Sequence, residues 1–248
     1  MNTTIDLTFL GCGDAFGSGG RFNTCFHVKA PSATFLIDCG ASSMISIRKH
    51  GVDPNAIDAI LITHLHGDHF GGLPFFILDA QLGSRRTQSL TIAGPPGLRD
   101  RLFRAMEVFF PGSSGVEQKF DLDIVEFTPD EPATLGALHV KPHLVRHPCG
   151  APPLALRVEV DGKSLCYTGD TEWVDAIVAA ARGVDLFVCE AYFDDKPVRF
   201  HLNWQTVKQH LPEIGAKRVV ITHMSPEMLS RAGSLGIEAA EDGLRLSV

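Results

Sequence analysis

The sequence predicts an α/β fold in which β-sheets are covered by helices. Short apolar runs of strand length alternate along the chain with stretches of helix length. No linker, charge block, low-complexity tract or repeat interrupts that alternation, so residues 1–248 read as one domain. Apolar residues make up 44 % of the 248, ample for a substantial buried core.

Residues 5–10 read as a strand that runs into the glycine-rich stretch 11–20. Residues 24–28 and 34–38 form a strand pair across a turn containing Pro31 and Ser32. A short helix follows over 42–50, with Gly51 suited to end it. A brief apolar strand spans 59–62. Helices are expected over 71–82 and 97–110, with a strand at 90–93 between them. Residues 154–160 and 164–167 form a hairpin around Asp161-Gly162, a strong turn signal. Helix 173–181, strand 186–189, helix 204–211 and strand 218–221 complete the alternation, and 244–248 closes a sheet. Phe109 and Phe110, ending the helix before Pro111, read as core aromatics.

The net charge of −7 argues against broad nucleic-acid or membrane-surface binding. A local basic patch remains open, because Arg85, Arg86, Arg99, Arg101 and Arg104 lie close in sequence. No stretch reaches the length of a membrane span. The N-terminal residues lack the basic start and apolar run of a secretory signal. The six cysteines are scattered without a C-x-x-C pair, and read as small buried residues in a reducing cytoplasm.

The chemistry concentrates in Thr63-His64-Leu65-His66-Gly67-Asp68-His69. Three imidazoles and a carboxylate within residues 64–69 are natural donors for zinc and similar divalent ions. The segment follows a strand, and ligands of open α/β sheets bind at the C-terminal edge of strands. Residues two apart in extended chain point the same way, so His64 and His66 can grip one ion. Asp68 and His69 open the next helix and can turn toward a second. Gly11-Cys12-Gly13-Asp14 and Gly17-Ser18-Gly19-Gly20 match neither the dinucleotide nor the Walker pattern, and read as a loop that bends close to the cluster.

This His-x-His-x-Asp-His segment after a short strand resembles the signature of the metallo-β-lactamase superfamily. Later landmarks recur in the family's order: His147 before a strand pair, Gly169-Asp170 at a strand end, and His223 after the strand 218–221. The resemblance implies an αββα sandwich of two mixed β-sheets flanked by helices. It implies that His64, His66 and His147 hold one divalent ion and that Asp68, His69 and His223 hold the other. Asp170 and a hydroxide would bridge them. Zinc is the default, with manganese or iron also suited. His143 is the alternative to His147. The family's diiron redox branch carries Glu where this chain has His66, so hydrolysis is favoured. Asp38, in Ile37-Asp38-Cys39-Gly40, orients a ligand histidine or forms a turn, and both readings stand.

Glu190 at a strand end and His201 before the next helix resemble the branch containing the tRNA 3′-processing nucleases and related phosphodiesterases, as does the Gly94-Pro95-Pro96-Gly97 turn. In that branch the Glu orients a His that donates a proton or contacts phosphate. Asp68, Glu190 and His201 are therefore the expected catalytic residues. The tRNA-processing enzymes carry a flexible arm between the isolated histidine and the bridging Asp; between His147 and Asp170 there is little beyond the hairpin. The expected substrate is thus a small or modest phosphodiester, such as a cyclic nucleotide or cyclic ribose phosphate, rather than tRNA. A homodimer is implied by the resemblance alone. The alternatives are an ester, lactone or thioester hydrolase on the same metal site, and a metal-binding accessory protein without turnover.

Overall fold

The computed structural model describes residues 4–248. In chain order the elements are β1 Asp6–Gly11, β2 Cys25–Lys29, β3 Thr34–Ile37, α1 Ser43–Lys49, β4 Ala59–Leu61, α2 Gly67–Phe70, α3 Leu73–Leu78 and β5 Leu90–Gly94. There follow α4 Leu98–Phe109, β6 Leu122–Glu126, β7 Ala133–Leu135, β8 Leu138–Leu144, β9 Leu154–Val160, β10 Lys163–Tyr167 and α5 Ala176–Ala181. The chain ends with β11 Leu186–Glu190, α6 Trp204–Ile214, β12 Val219–Thr222, α7 Pro226–Ala232, β13 Glu238–Ala239 and β14 Arg245–Ser247.

The strands form two seven-stranded sheets, ordered β14-β1-β2-β3-β4-β5-β6 and β13-β12-β11-β10-β9-β8-β7. Both are mixed. In the first, β14 to β3 pair antiparallel and β3 to β6 pair parallel. In the second, β7 to β10 pair antiparallel and β10 to β13 parallel. Alternation along the strands explains the layering. Leu7, Phe9, Phe26, Val28, Phe35 and Ile37 point inward from the first sheet and meet Leu154, Leu156, Val158, Val160 and Val188 of the second. Leu10, Leu36, Ile60 and Ile92 point outward and bury against residues of α1, α3 and α4. Phe187, Cys189 and Ile221 do the same against α5, α6 and α7. The result is the expected αββα sandwich. Truncating a fully buried inner side chain such as Phe26 to Ala removes about 3–5 kcal/mol.

Several elements differ from the sequence expectation. The expected helix 71–82 is two pieces, α2 and α3, continued by a π-helical turn Asp79–Gly83. Strands β6, β7, β8 and β13 and helix α7 carry no clear pattern. β8 reads Leu-His-Val-Lys-Pro-His-Leu, and its strand state comes from pairing with β9 over His139 to Leu144 and with β7 at its start. Phe109 is half exposed rather than core; its ring packs on Phe75, 5.4 Å between centroids. Two of the five arginines are engaged within the fold. Arg86 is buried and donates to the carbonyls of Pro54, Ile57, Gln88 and Ser89, while Arg104 pairs with Asp100 on its own helix.

The C-terminal ends of β3, β4, β10, β11 and β12 converge on one edge of the sandwich. There the two sheets touch directly, Leu154 N donating to Thr63 O at 2.9 Å.

Candidate metal centre

Each donor is delivered by a strand end or the loop beyond it. After β4 a non-helical segment leads to His66, whose backbone is extended and which precedes α2, and Asp68 and His69 lie in that short helix. The loop after β3 fastens this segment: Cys39 N donates to His69 O and Ala41 N to Gly67 O. Gly40 permits the approach, since a Cβ there would lie 2.1 Å from the Asp68 carbonyl oxygen. His147 lies beyond β8, Asp170 beyond β10, and Glu190 ends β11. His223 follows β12 in a left-handed conformation, φ 56°, and its N–H donates to Cys12 O at 3.1 Å. The glycine-rich loop after β1 therefore does bend against the site.

Three groups of donor atoms lie within 4.8 Å of one another: His64, His66 and His147; Asp68, His69, Asp170 and His223; and Asp170, Glu190, His201 and His223. His66 Nδ1 and His147 Nε2 are 3.0 Å apart. His69 Nε2 lies 3.2 Å from Asp170 Oδ1 and 3.3 Å from both Asp68 Oδ2 and His223 Nε2. His223 Nε2 is 3.3 Å from Asp68 Oδ2, and His64 Nε2 is 3.8 Å from Asp170 Oδ2. The structure brings His147 to this cluster. His143 lies in β8 with its ring toward Asp130.

Three of the rings have their outer nitrogen in use. His147 Nδ1 donates to Phe200 O at 2.9 Å, and His69 Nδ1 donates to Asp38 Oδ2 at 2.7 Å. His64 Nδ1 faces Thr63 Oγ1 at 3.1 Å, and that hydroxyl donates to Asp38 Oδ2 at 2.8 Å. The rings of His64, His69 and His147 thus turn Nε2 inward, and His64 Nε2 is buried with no hydrogen-bond partner. Histidines held by an outer acceptor with an inward lone pair are the arrangement a divalent ion requires. The residues present fit a divalent ion. Asp38, open between two roles from sequence, holds both: it turns the chain at φ 58° and accepts from His69.

The electrostatics agree. Burial and the neighbouring His69 hold His64 well below its ordinary pKa. Burial would also lower His69 and His223, but nearby carboxylates dominate. Asp170, Asp68 and Asp38 raise His69 well above its usual range. Asp170, Asp68 and Glu190 push His223 up to about 10. Asp68 and Asp170 are correspondingly held low, against their burial, by the same imidazoles. The carboxylates thus favour positive charge at His69 and His223, the charge that a divalent ion would supply.

Glu190 is fully buried, with Oε2 accepting from Thr171 N at 3.0 Å and Leu202 N at 3.2 Å. Its Oε1 holds His201 Nδ1. His201 does not cap α6; Asn203 does, accepting from Thr206 N. The His201 side chain is 25 % exposed, its ring 5.0 Å from that of His147. Burial works against protonating it, but the Glu190 carboxylate raises it above its ordinary pKa. Sequence reasoning missed Tyr192, whose ring lies 5.0 Å from His201 and 6.2 Å from His223, and the Phe200 carbonyl that orients His147. Neither gives a sequence signal, since one is a lone aromatic after a strand and the other a backbone atom.

Comparison with known proteins follows this geometry. The β-lactamase superfamily domain matches residues 33–224. The uncharacterized protein Rv1339 of Mycobacterium tuberculosis is 30 % identical over 230 residues, covering 90 % of this chain and 82 % of its own. Ribonuclease Z of Lachnoclostridium phytofermentans is 27 % identical over 276 aligned positions, 90 % of this chain and 88 % of that one. The crystal structure of the short form of human tRNase Z superposes with a TM-score of 0.81 at 28 % identity, over 97 % of this chain and 98 % of that one. With a domain match over most of its length and the αββα sandwich in place, the chain belongs to the β-lactamase superfamily and has the metallo-β-lactamase fold.

Proposed function

We propose that the protein is a binuclear metal-dependent hydrolase that cleaves a small or modest phosphodiester. The observation that carries this reading is the buried Glu190 carboxylate holding His201 beside the donor cluster. Hydrolysis of an activated ester needs little more than an activated water. Cleavage of a diester must also protonate a leaving alkoxide, which a carboxylate-held imidazolium can do. Similarity to ribonuclease Z supports the same chemistry.

In this reading His64, His66 and His147 would hold one divalent ion and Asp68, His69 and His223 the second, with Asp170 available to both. Zinc is the expected ion, and manganese or iron suits the same mixed nitrogen and oxygen donors. Such ions would supply Lewis acidity toward a phosphoryl oxygen and lower the pKa of a water. The chain does the rest. Asp38 and the Phe200 carbonyl fix the rings. Asp68 orients the attacking water. His201 gives its Nε2 proton to the leaving oxygen while Glu190 holds the ring, and regains a proton from solvent through its exposed edge.

The ribonuclease Z alignment runs over 276 positions, more than the 248 residues of this chain, so that enzyme has segments absent here. A small diester such as a cyclic nucleotide or cyclic ribose phosphate suits this chain better than a tRNA precursor. The six free cysteines are all buried, which fits a reducing compartment, and we take the cytoplasm as the site of action. Among the described residues no helix is long and apolar enough to cross a membrane. The homodimer implied by family resemblance is part of the same proposal, and sedimentation of the metal-loaded protein tests it.

The test is a parallel assay of the purified protein with bis(p-nitrophenyl) phosphate and a p-nitrophenyl ester, with and without chelator. Diester cleavage that the chelator abolishes is the expected result. Ester cleavage alone would transfer the reading to esters, lactones or thioesters and remove His201 from it. Tight metal binding with no turnover of either substrate would favour an accessory protein.

A further inference from the structure

Glu172 lies two residues beyond Asp170 and belongs to none of the donor groups. Its carboxylate nonetheless closes a circuit that returns to one of them. Oε1 accepts from Arg146 Nη1 at 2.9 Å, and Oε2 accepts from Phe200 N at 3.2 Å. The Phe200 carbonyl accepts from His147 Nδ1 at 2.9 Å, and His147 follows Arg146 in the chain. A backbone bond from Glu172 N to Arg146 O, 3.1 Å long, braces the same circuit. It joins the loops beyond β8 and β10 to the loop before α6.

An Arg–Glu pair at the surface adds little by itself, and the Arg146 side chain is 67 % exposed. Phe200 gives this pair its weight. Its φ is 70°, a left-handed backbone that a bulky aromatic residue resists. Such a residue keeps that conformation only where its surroundings over-determine it. Here the N–H of Phe200 is held by Glu172, its carbonyl by His147, and the next residue, His201, bridges back to Val198. Phe200 and His201 thereby serve different partners: the carbonyl of one orients His147, while the ring of the other is held by Glu190. Glu190 in turn accepts from Thr171 N. Asp170, Thr171 and Glu172 thus reach, in three consecutive residues, the donors, the holder of His201 and the holder of His147.

Resting on the binuclear metal reading, we propose that Glu172 is a positioning residue for His147. It fixes Phe200 in its left-handed conformation, so that the Phe200 carbonyl keeps the His147 ring against those of His64 and His66. Arg146 holds the carboxylate in place for that bond.

The test is titration of zinc against a chelating dye for the native protein, E172A, E172Q, H147A and the double variant H147A/E172A. E172A should weaken one of the two ions about tenfold, the lower end of what an outer partner of a ligand histidine contributes, and leave the other unchanged. E172Q, whose amide oxygen still accepts from Phe200 N, should recover most of that loss. Once His147 is absent, E172A should weaken nothing further, because the two residues act in series. Native affinity in E172A, equal weakening of both ions, no recovery in E172Q, or a further loss in the double variant would overturn the proposal. The readout needs no turnover, so failure to cleave bis(p-nitrophenyl) phosphate would count against the phosphodiesterase reading alone. A native protein that takes up fewer than two ions would refute the binuclear reading, and the proposal with it.

Discussion

The two sheets share one pairing pattern, three antiparallel contacts followed by three parallel ones, yet they furnish the site differently. The first sheet delivers His64, His66, Asp68 and His69 from one loop and helical turn after β4. The second delivers His147, Asp170, Glu190 and His223 from four separate strand ends. Equivalent strands carry unequal duties. β3 and β10 occupy the same place in the two patterns, and each is followed by a buried aspartate, Asp38 and Asp170. Asp170 faces the donors themselves, whereas Asp38 stands behind them and fixes His69. A compact segment supplies donors that are local in sequence but depend on an outer carboxylate for orientation. Dispersed donors depend on the sandwich holding its edges in register.

The sharpest way to break this comparison is to exchange the weight of the two aspartates. Asp170→Asn should lower diester cleavage by roughly 10³-fold and leave substoichiometric metal, because both donor groups lose their shared carboxylate. Initial rates with elemental analysis check this, and a variant with full metal content would refute the shared role. His201→Ala should follow at roughly 10²-fold for a diester with a poor leaving group, and much less with p-nitrophenolate, which leaves unaided. Equal losses on both leaving groups would mean that His201 binds rather than protonates. Asp38→Asn should cost less, about 10- to 100-fold in metal affinity, as expected for an outer partner of a ligand histidine. Titration against a chelating dye measures it, and an unchanged affinity would return Asp38 to a turn-forming role.

The smallest effect concerns the metal-free protein. His69 and His223 have pKa values raised in the folded state, so the stability they contribute is full below the ordinary histidine range. It is lost as pH rises, through about 10 for His223. Asp68 and Asp170, held low, contribute stability above the ordinary carboxylate range that is lost on acidification. The chelated protein should therefore melt a few degrees lower, roughly, at pH 9.5 than at pH 7. The metal-loaded protein, with those protons already displaced, should change less. Metal uptake at neutral pH should release protons, visible as a buffer dependence of the calorimetric heat. A heat independent of buffer would contradict the protonated pair.

The same contrast explains what could be read from sequence. The segment 64–69 announces itself because its donors are contiguous and follow a strand. His147, Asp170 and His223 are ordinary residues singly, and only their order against a family pattern picks them out. The strand alternation of β1, β9 and β11 was legible because each buries one or both faces. β6 to β8 were not, because outward positions such as Asp123, Glu126, His139 and Lys141 break the apolar pattern, and only cross-strand pairing makes them strands. Asp38 was half legible: its turn follows from position, but its bond to His69 joins residues 31 apart.

The central claim is that donors from both sheets hold two metal ions. Elemental analysis of the purified protein, with the same count for His66→Ala and His223→Ala, tests it most directly. Two ions per chain, falling to about one in each variant because each truncates a different donor group, is the predicted result. Fewer than one tightly bound ion in the native protein, or two ions retained in both variants, would contradict it.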